Sequence, residues 1–500
     1  MARLSWLVVI VMFAAPSVAT AQGSLDRLWT PDVRARIRDQ GTLAPVIVQH
    51  IGYSEVFFDS EIGDAKWGDS GPPYGLHTGG TIRIHGYLAA PAAGGPYPAI
   101  VIGHGHHGEA ELDLARAVAA FGYVALAISG PQAGLSTGGP EDTEQAWITV
   151  EPSADYSFLY HYAYAGMRAL TLFEHLAAQP GNPYRIDPSR LGVIGASMGG
   201  QLTYYVNGVD DRVKAAVAVA VAGSWADTMS YEGSWLYHGL YYYTRDGLQS
   251  GVDAPNAVAD ACTDQTLRRF LQYFDPASYA PTQHGRLLTI IGSHDQYFPL
   301  PAINATYNRI HPAGSDPGFS ARLVVTPNGK HGVVDNGNAL GAILSVLGTA
   351  NAWLRHAFYG GAAPPETPAL HRQVIGGRMH FIVPARPGDA PISRVLLNYA
   401  TRVDTTPQPA CDFNRIRMVR LGNAYVGSVA IGEVPACGPP VTAENVIYFA
   451  SVSDWNGFTV SSTIHRAGAE MTFSSEFVPV LEHFPRDTFP VPPPPVCSTP

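Results

Sequence analysis

Arg190-Leu191-Gly192-Val193-Ile194-Gly195-Ala196-Ser197-Met198-Gly199-Gly200 is a short apolar run that enters a glycine-flanked turn carrying a single serine. The Gly-x-Ser-x-Gly spacing suits a strand that turns sharply into a helix. There the chain packs so closely that only glycine fits at positions 195 and 199. Ser197 is thereby presented as a candidate nucleophile. The Met198 amide, at the start of the helix behind it, becomes a candidate donor to an oxyanion. A chain with 52 glycines can produce this pattern by chance, so its surroundings must decide.

A serine nucleophile needs a base to take its proton and an acid to orient that base. On a strand-turn-helix scaffold of this kind they follow in the order Ser, Asp, His. Gly292-Ser293-His294-Asp295-Gln296-Tyr297-Phe298-Pro299 follows one apolar run, and Asn328-Gly329-Lys330-His331-Gly332 follows the next. Asp295 is therefore the expected acid and His331 the expected base. Asp335 competes as acid but follows the histidine, and His294 competes as base but adjoins the acid. A second oxyanion donor is expected from Gly103-His104-Gly105-His106-His107-Gly108, at the amide of His106, with the neighbouring glycine and His107 amides as competitors. His104, His106, His107 and Glu109 also invite a zinc reading. The chain has Gly108 and Glu109 where a His-x-His-x-Asp-His pattern needs Asp and His, and no second ligand cluster follows, so neither a metal nor any other cofactor is expected.

Working outward, Val46–Val48 and Thr81–Ile84 read as antiparallel strands. They are followed by strands at Pro98–Ile102, Tyr123–Ile128, Leu191–Ile194, Val213–Val221, Leu287–Ile291 and Arg322–Val325. Helical patterns at Glu109–Phe121, Asp155–Ala178 (capped by Asp155), Gly199–Asn207 and Asn338–Tyr359 alternate with them, as in an α/β fold with a mostly parallel sheet of about eight strands. The connection from about 222 to 285 is long enough for a helical lid. Its Trp225, Tyr231 and Trp235 are candidate substrate contacts, or else a small subdomain burying its own aromatics. Gly360–Pro368 has linker composition, so a catalytic domain over 22–360 is expected to give way to a second domain over 361–488. Strand-like runs such as Met379–Val383, Val395–Tyr399, Arg417–Val419, Tyr425–Ile431, Val446–Val452 and Phe458–Val460 point to an all-β, immunoglobulin-like sandwich there, before a proline-rich tail at 489–500.

Five hundred residues with 46% hydrophobic and 14% charged content leave ample core for two unequal domains. Acidic residues outnumber basic ones by 41 to 31 and no Lys/Arg run occurs, so a nucleic-acid partner is not expected. Arg3, the apolar stretch Trp6–Ala15, Pro16 and Ala19-Thr20-Ala21 predict a cleaved export signal over 1–21, a mature chain starting near Gln22, and a secreted or periplasmic location. The apolar stretch is well short of the roughly 20 residues that cross a bilayer. Among four cysteines, Cys411 with Cys437 is the expected disulfide because both lie in the β-rich region; Cys262 with Cys497 is the remaining pair.

Several segments together resemble the α/β-hydrolase superfamily. They are His85-Gly86-Tyr87-Leu88-Ala89-Ala90-Pro91 ahead of Pro98–Gly105, Tyr164–Leu170, Asp187–Gly200 and Gly292–Pro299. Within it, the chain is most similar to secreted serine esterases of the acetyl xylan esterase and dienelactone-hydrolase-like group. The resemblance spans about Pro45 to Tyr359, and dienelactone hydrolases themselves carry cysteine where this chain has Ser197. It implies a serine carboxylester hydrolase, without cofactor, that removes acetyl or other short acyl groups from carbohydrate or small esters. Peptidases of the prolyl oligopeptidase type share most of these signals and are the first alternative. They more often have tyrosine where Met198 stands, and they carry an N-terminal propeller that the stretch before Pro98 is too short to form. The second alternative is a polysaccharide-binding protein with an inactive hydrolase fold. In either case the C-terminal domain is a possible polysaccharide contact.

Overall fold

The computed structural model describes residues 25–61, 78–151, 153–229, 236, 265–310, 319–334, 339–401 and 411–467. The segment expected as an export signal, most of the connection expected as a lid, Asp335, Cys262, Cys497 and the proline-rich tail lie outside these residues.

Among the described residues, ten strands form one sheet: β1 (Val46–His50), β2 (Tyr53–Asp59), β3 (Thr78–Ala89), β4 (Tyr97–Gly103), β5 (Val124–Ile128), β6 (Thr137–Gly139), β7 (Ile186–Ala196), β8 (Val213–Val219), β9 (Arg286–Gly292) and β10 (Ala321–Thr326). Their order is β1-β2-β3-β5-β4-β7-β8-β9-β10, with β6 against β3. The first pairs are antiparallel, and those from β5 to β10 are parallel. The expectation of about eight strands falls short by β2 and β6. Tyr53–Asp59 has strict in-out alternation, whereas Thr-Gly-Gly at 137–139 has no hydrophobic pattern to read. The central strands β4, β5 and β8 are apolar runs buried almost throughout, as strands covered on both faces must be.

Four helices matter for the site: α1 (Leu112–Ala120), α2 (Phe158–Ala178), α3 (Met198–Val209) and α4 (Ala339–Tyr359). One face of the sheet is covered by α2 and α3, the other by α1 and α4. The Asp155 cap is corrected. Residues Ala154–Tyr156 form a separate 3-10 turn, and Ser157 caps α2 by accepting from the Leu159 amide at 3.2 Å. Likewise α1 begins at Leu112 rather than Glu109, because its N-cap Glu111 is extended. Among the described residues, no helix is long and apolar enough to cross a membrane.

Chain order reverses around β4. The path steps outward from β4 to β5, then returns to β7 on the opposite side of β4. Loops leaving the carboxyl ends of β4 and β7 therefore diverge, which opens a crevice where such sheets place their sites. Gly103 is paired with Gly195, so the two strands end together and their following loops, 103–108 and 195–199, sit side by side.

Beyond the linker, two antiparallel sheets pack face to face. One has the order β11 (His371–Ile375), β12 (Arg378–Val383), β16 (Ala424–Ala430), β15 (Val419–Leu421). The other has β14 (Asn414–Arg417), β13 (Ile392–Ala400), β17 (Ile447–Asp454), β18 (Thr459–Ser461), with β19 (His465–Arg466) against β17. Phe381 meets Tyr448 between the sheets at 4.8 Å, among Met379, Leu397, Val429 and Val452. The expected strand around Arg417–Val419 is two strands broken at Met418, and β11 and β19 went unread in the sequence. The Cys411–Cys437 disulfide joins this region as expected. The sandwich also covers the open edge of the large sheet: Ser461 Oγ accepts from the Val325 amide of β10 at 3.0 Å, and the Asn304 side chain bonds the Ile464 backbone at 2.7 and 3.0 Å.

Candidate active site

Ser197 stands between β7 and α3 with φ 57° and ψ −120°, a conformation that costs energy for a side-chain-bearing residue. Its amide bonds to Val219 at 2.9 Å, tying the turn to β8. The flanking glycines are sterically required. A Cβ at Gly195 would lie 2.3 Å from the Gly199 carbonyl oxygen, and one at Gly199 only 2.2 Å from that of Gly103. Both obstacles are backbone and cannot swing aside. Gly199→Ala should accordingly destabilise the domain by about 3 kcal/mol or more, at the severe end for overpacking, read as a lowered denaturation midpoint or loss of soluble protein.

The loops after β9 and β10 bring the other two residues to the serine. His331 Nε2 lies 2.9 Å from Ser197 Oγ, and His331 Nδ1 lies 2.9 Å from Asp295 Oδ2. The Asp295 side chain is fully buried, and its second oxygen accepts from the Tyr297 and Phe298 amides at 2.8 and 3.2 Å. Gln296 Oε1 accepts from the His331 amide, and the Tyr297 ring lies against the imidazole at 4.1 Å. These two neighbours follow Asp295 directly, yet nothing in their type marks them beforehand. Gly292 lets the two loops touch, since a Cβ there would be 2.1 Å from the Gly329 carbonyl oxygen.

The competitors have other places. His294 is buried, its Nδ1 near Ser293 Oγ at 2.8 Å and its Nε2 near the Cys411 carbonyl at 3.3 Å, so it links the loop carrying Asp295 to the β-sandwich. Asn328 joins the same seam, bonding the Phe413 backbone and, through its own amide, Ser293 Oγ.

Gly105 lies over Ser197, where a Cβ would come 3.6 Å from Ser197 Cβ. In this loop the Gly108 amide donates to the Gly105 carbonyl at 2.9 Å, and the His107 amide, one of the competing donors, is committed to Asp142 Oδ2 at 2.6 Å. Met198 begins α3 and is buried directly behind the serine. Trp225 is corrected as a substrate contact. It is fully buried, donates its indole N–H to the Ala222 carbonyl, and lies 5.6 Å from Phe270 in the core. Tyr231 and Trp235 lie outside the described residues.

The imagined zinc set is not assembled. His104 has Nδ1 on the Gly105 carbonyl at 2.7 Å and Nε2 accepting from Gly130 at 2.8 Å, and its burial holds its pKa below the usual histidine value. A different group, His106, His107 and Asp142, has ligand-type atoms within 4.8 Å of one another. Asp142 is already engaged by three donors: the His106 ring at 2.8 Å, the Trp147 indole at 2.7 Å and the His107 amide. Burial opposes charging of both Asp142 and His106. Their mutual hydrogen bond and attraction, with Glu144 as the ring's second partner, nonetheless lower the carboxyl pKa and raise the imidazole pKa. Neither Asp142 nor Glu144 stood out in the sequence, because their partner loop lies more than 30 residues away. On the face carrying α1 and α4, a cavity of about 330 Å³ is lined by Ile102, Gly105, Leu114, Ile194, Ala196 and Leu347 among others.

Comparison with known proteins agrees with this fold. A model of the prolyl oligopeptidase family matches residues 173–358, and one of the dienelactone hydrolase family matches residues 84–221. Similar solved structures include acetyl xylan esterase 1 from Thermoanaerobacterium sp. JW/SL YS485 at 18% identity and TM-score 0.45, covering 64% of this chain and 94% of that one. The acetyl xylan esterase from Paenibacillus sp. R4 is similar at 19% identity and TM-score 0.46, covering 63% and 94%. The acylaminoacyl peptidase of Pyrococcus horikoshii is similar at 16% identity and TM-score 0.39, covering 55% and 40%. The chain has an α/β-hydrolase fold followed by a smaller β-sandwich domain.

Proposed function

We propose that this chain is an exported serine carboxylester hydrolase working by acyl transfer, with Ser197 as nucleophile, His331 as base and Asp295 as the acid that orients it. The observation that carries the reading is the unbroken line Asp295 to His331 to Ser197, two contacts of 2.9 Å, ending on a strained turn at a half-buried serine. His331 takes the hydroxyl proton as Ser197 Oγ attacks the ester carbonyl. The amides of Met198 and His106 receive the negative charge on the carbonyl oxygen. The C–O bond to the alcohol then breaks, and His331 returns the proton to the leaving alkoxide. Water, deprotonated by His331, cleaves the acyl-enzyme in a second passage through the same geometry. Export is supported by the leader composition and by the Cys411–Cys437 disulfide, which persists in oxidising compartments.

Acetyl and other short acyl groups on carbohydrate or small alcohols are the proposed substrates. The test is a panel on the purified chain: p-nitrophenyl esters of increasing length, acetylated sugars, acetylated polysaccharide and peptide anilides. The reading expects short esters and acetylated sugars to be turned over at least about tenfold faster than the anilides or the long esters, the discrimination a few methylenes can produce. A preference for anilides would establish the peptidase alternative, which the family match across all three residues keeps in view. A preference for long acyl chains would instead assign the apolar cavity to substrate.

A further inference from the structure

The loop over Ser197 is held from outside by a residue that takes no part in the Asp-His-Ser line. Gly105 to Gly108 form a β-turn closed by the Gly108 amide on the Gly105 carbonyl, with His107 at the third position and φ 57°. With a positive φ at His107 but not at His106, the turn has the type II form, which favours glycine at its third position. A histidine there carries strain, and flipping the His106–His107 peptide into the type I form would relieve it. Asp142 opposes the flip. Its Oδ2 accepts the His107 N–H at 2.6 Å, the group that would turn away, and its Oδ1 accepts from the His106 ring at 2.8 Å. Asp142 is itself fixed, with a side chain 7% exposed, the Trp147 indole on Oδ1, and the adjoining Thr143 capping the helix Glu144–Ile148. Glu144 meets the other nitrogen of the His106 ring at 3.3 Å.

The near side of the loop is pinned as well. The Gly105 carbonyl receives both the His104 ring and the Gly108 amide. In a trans peptide the C=O and the next N–H point in opposite directions. A held Gly105 carbonyl therefore fixes the direction of the His106 N–H.

We propose that Asp142 is the positioning residue of the oxyanion loop. By gripping the His106 ring with one oxygen and the His107 N–H with the other, it holds both central residues of the 105–108 turn in place, and with them the His106 backbone, whose amide, directed by the held Gly105 carbonyl, faces the charge developing beside Ser197. This rests on the serine-hydrolase reading above and adds a residue to it.

The test uses Asp142→Asn and Asp142→Ala, with Glu144→Gln and Trp147→Phe, in the full chain. In Asp142→Asn, an amide N–H₂ replaces one of two oxygens that face donors, so one grip is lost. The expected fall in kcat is on the order of 100-fold, as for removal of one oxyanion donor, with KM within about threefold. The inhibition constant of an alkylboronic acid should rise by the same factor, because its serine adduct is a tetrahedral anion. A merely structural role would leave that constant in step with KM instead. Trp147→Phe keeps both grips and should stay within about threefold; Glu144→Gln should fall between, and it carries the test if the Asp142 variants do not fold.

Wild-type kcat in Asp142→Asn, or a lowered kcat with unchanged boronate affinity, would overturn the proposal. So would activity lost on chelation and restored by zinc, which would make Asp142 a metal ligand. The rate at which a fluorophosphonate labels Ser197 separates this proposal from the ester reading, since it needs no ester substrate. A wild-type chain that labels quickly but hydrolyses none of the panel would defeat the ester reading, while slower labelling of Asp142→Asn would still support the role of Asp142.

Discussion

Ser197→Ala should reduce turnover of p-nitrophenyl acetate by a factor on the order of 10⁴ to 10⁶, leaving only what the oxyanion donors and binding achieve without a nucleophile. The substitution removes one oxygen, whose partner is the His331 ring at 2.9 Å. The backbone strain at φ 57° is inherent to the turn and is borne by alanine much as by serine. Loss of one hydrogen bond between a part-exposed ring and a hydroxyl costs about 1 kcal/mol or less. The denaturation midpoint should therefore stay close to wild type. A collapse of stability alongside activity would mean that Ser197 is a structural residue of the elbow.

Asp295→Asn should lower kcat by about 10⁴-fold by a different route. The carboxylate has two jobs: Oδ1 accepts from the Tyr297 and Phe298 amides, and Oδ2 faces His331 Nδ1. In the asparagine variant, only the amide oxygen can satisfy the two backbone N–H groups, so the N–H₂ must face the imidazole. His331 Nδ1 then has to accept, which places the ring proton on Nε2, opposite Ser197 Oγ. The base is present but in the wrong tautomer. Folding should be little affected, because the turn keeps its acceptor. Asp295→Ala removes both functions and should also lose stability, by about 1–3 kcal/mol for the Phe298 amide left buried and unsatisfied and by less for the part-buried Tyr297 amide. Comparison of kcat and midpoint across the two variants separates orientation of the base from support of the loop.

Ser197, Asp295 and His331 are legible because each sits on the loop after a buried strand, and such strands announce themselves as apolar runs: Leu191–Ile194, Leu287–Ile291 and Arg322–Val325. Glycines with steric roles, Gly195, Gly199 and Gly292, marked the same turns. What escaped notice acts at long range. Asp142 reaches the 103–108 loop from a segment with no pattern of its own, and Asn328 and His294 meet the β-sandwich at Phe413 and Cys411. Local periodicity cannot announce such contacts. Trp225 misled for a related reason, since an aromatic in a long connection looks the same in sequence whether it faces a substrate or, as here, the core. The short strand β6 is two-thirds glycine and carries no hydrophobic signal at all.

The central claim is that an acyl group passes through Ser197. Quenching the chain in acid during turnover of p-nitrophenyl acetate, and mapping the modified peptide by mass spectrometry, tests it most directly. The account predicts one acetyl group on the peptide containing Ser197, absent from Ser197→Ala and lost with time as the acyl-enzyme is hydrolysed. Hydrolysis proceeding with Ser197 unmodified, or an acetyl group on another residue whose replacement stops turnover, would contradict it.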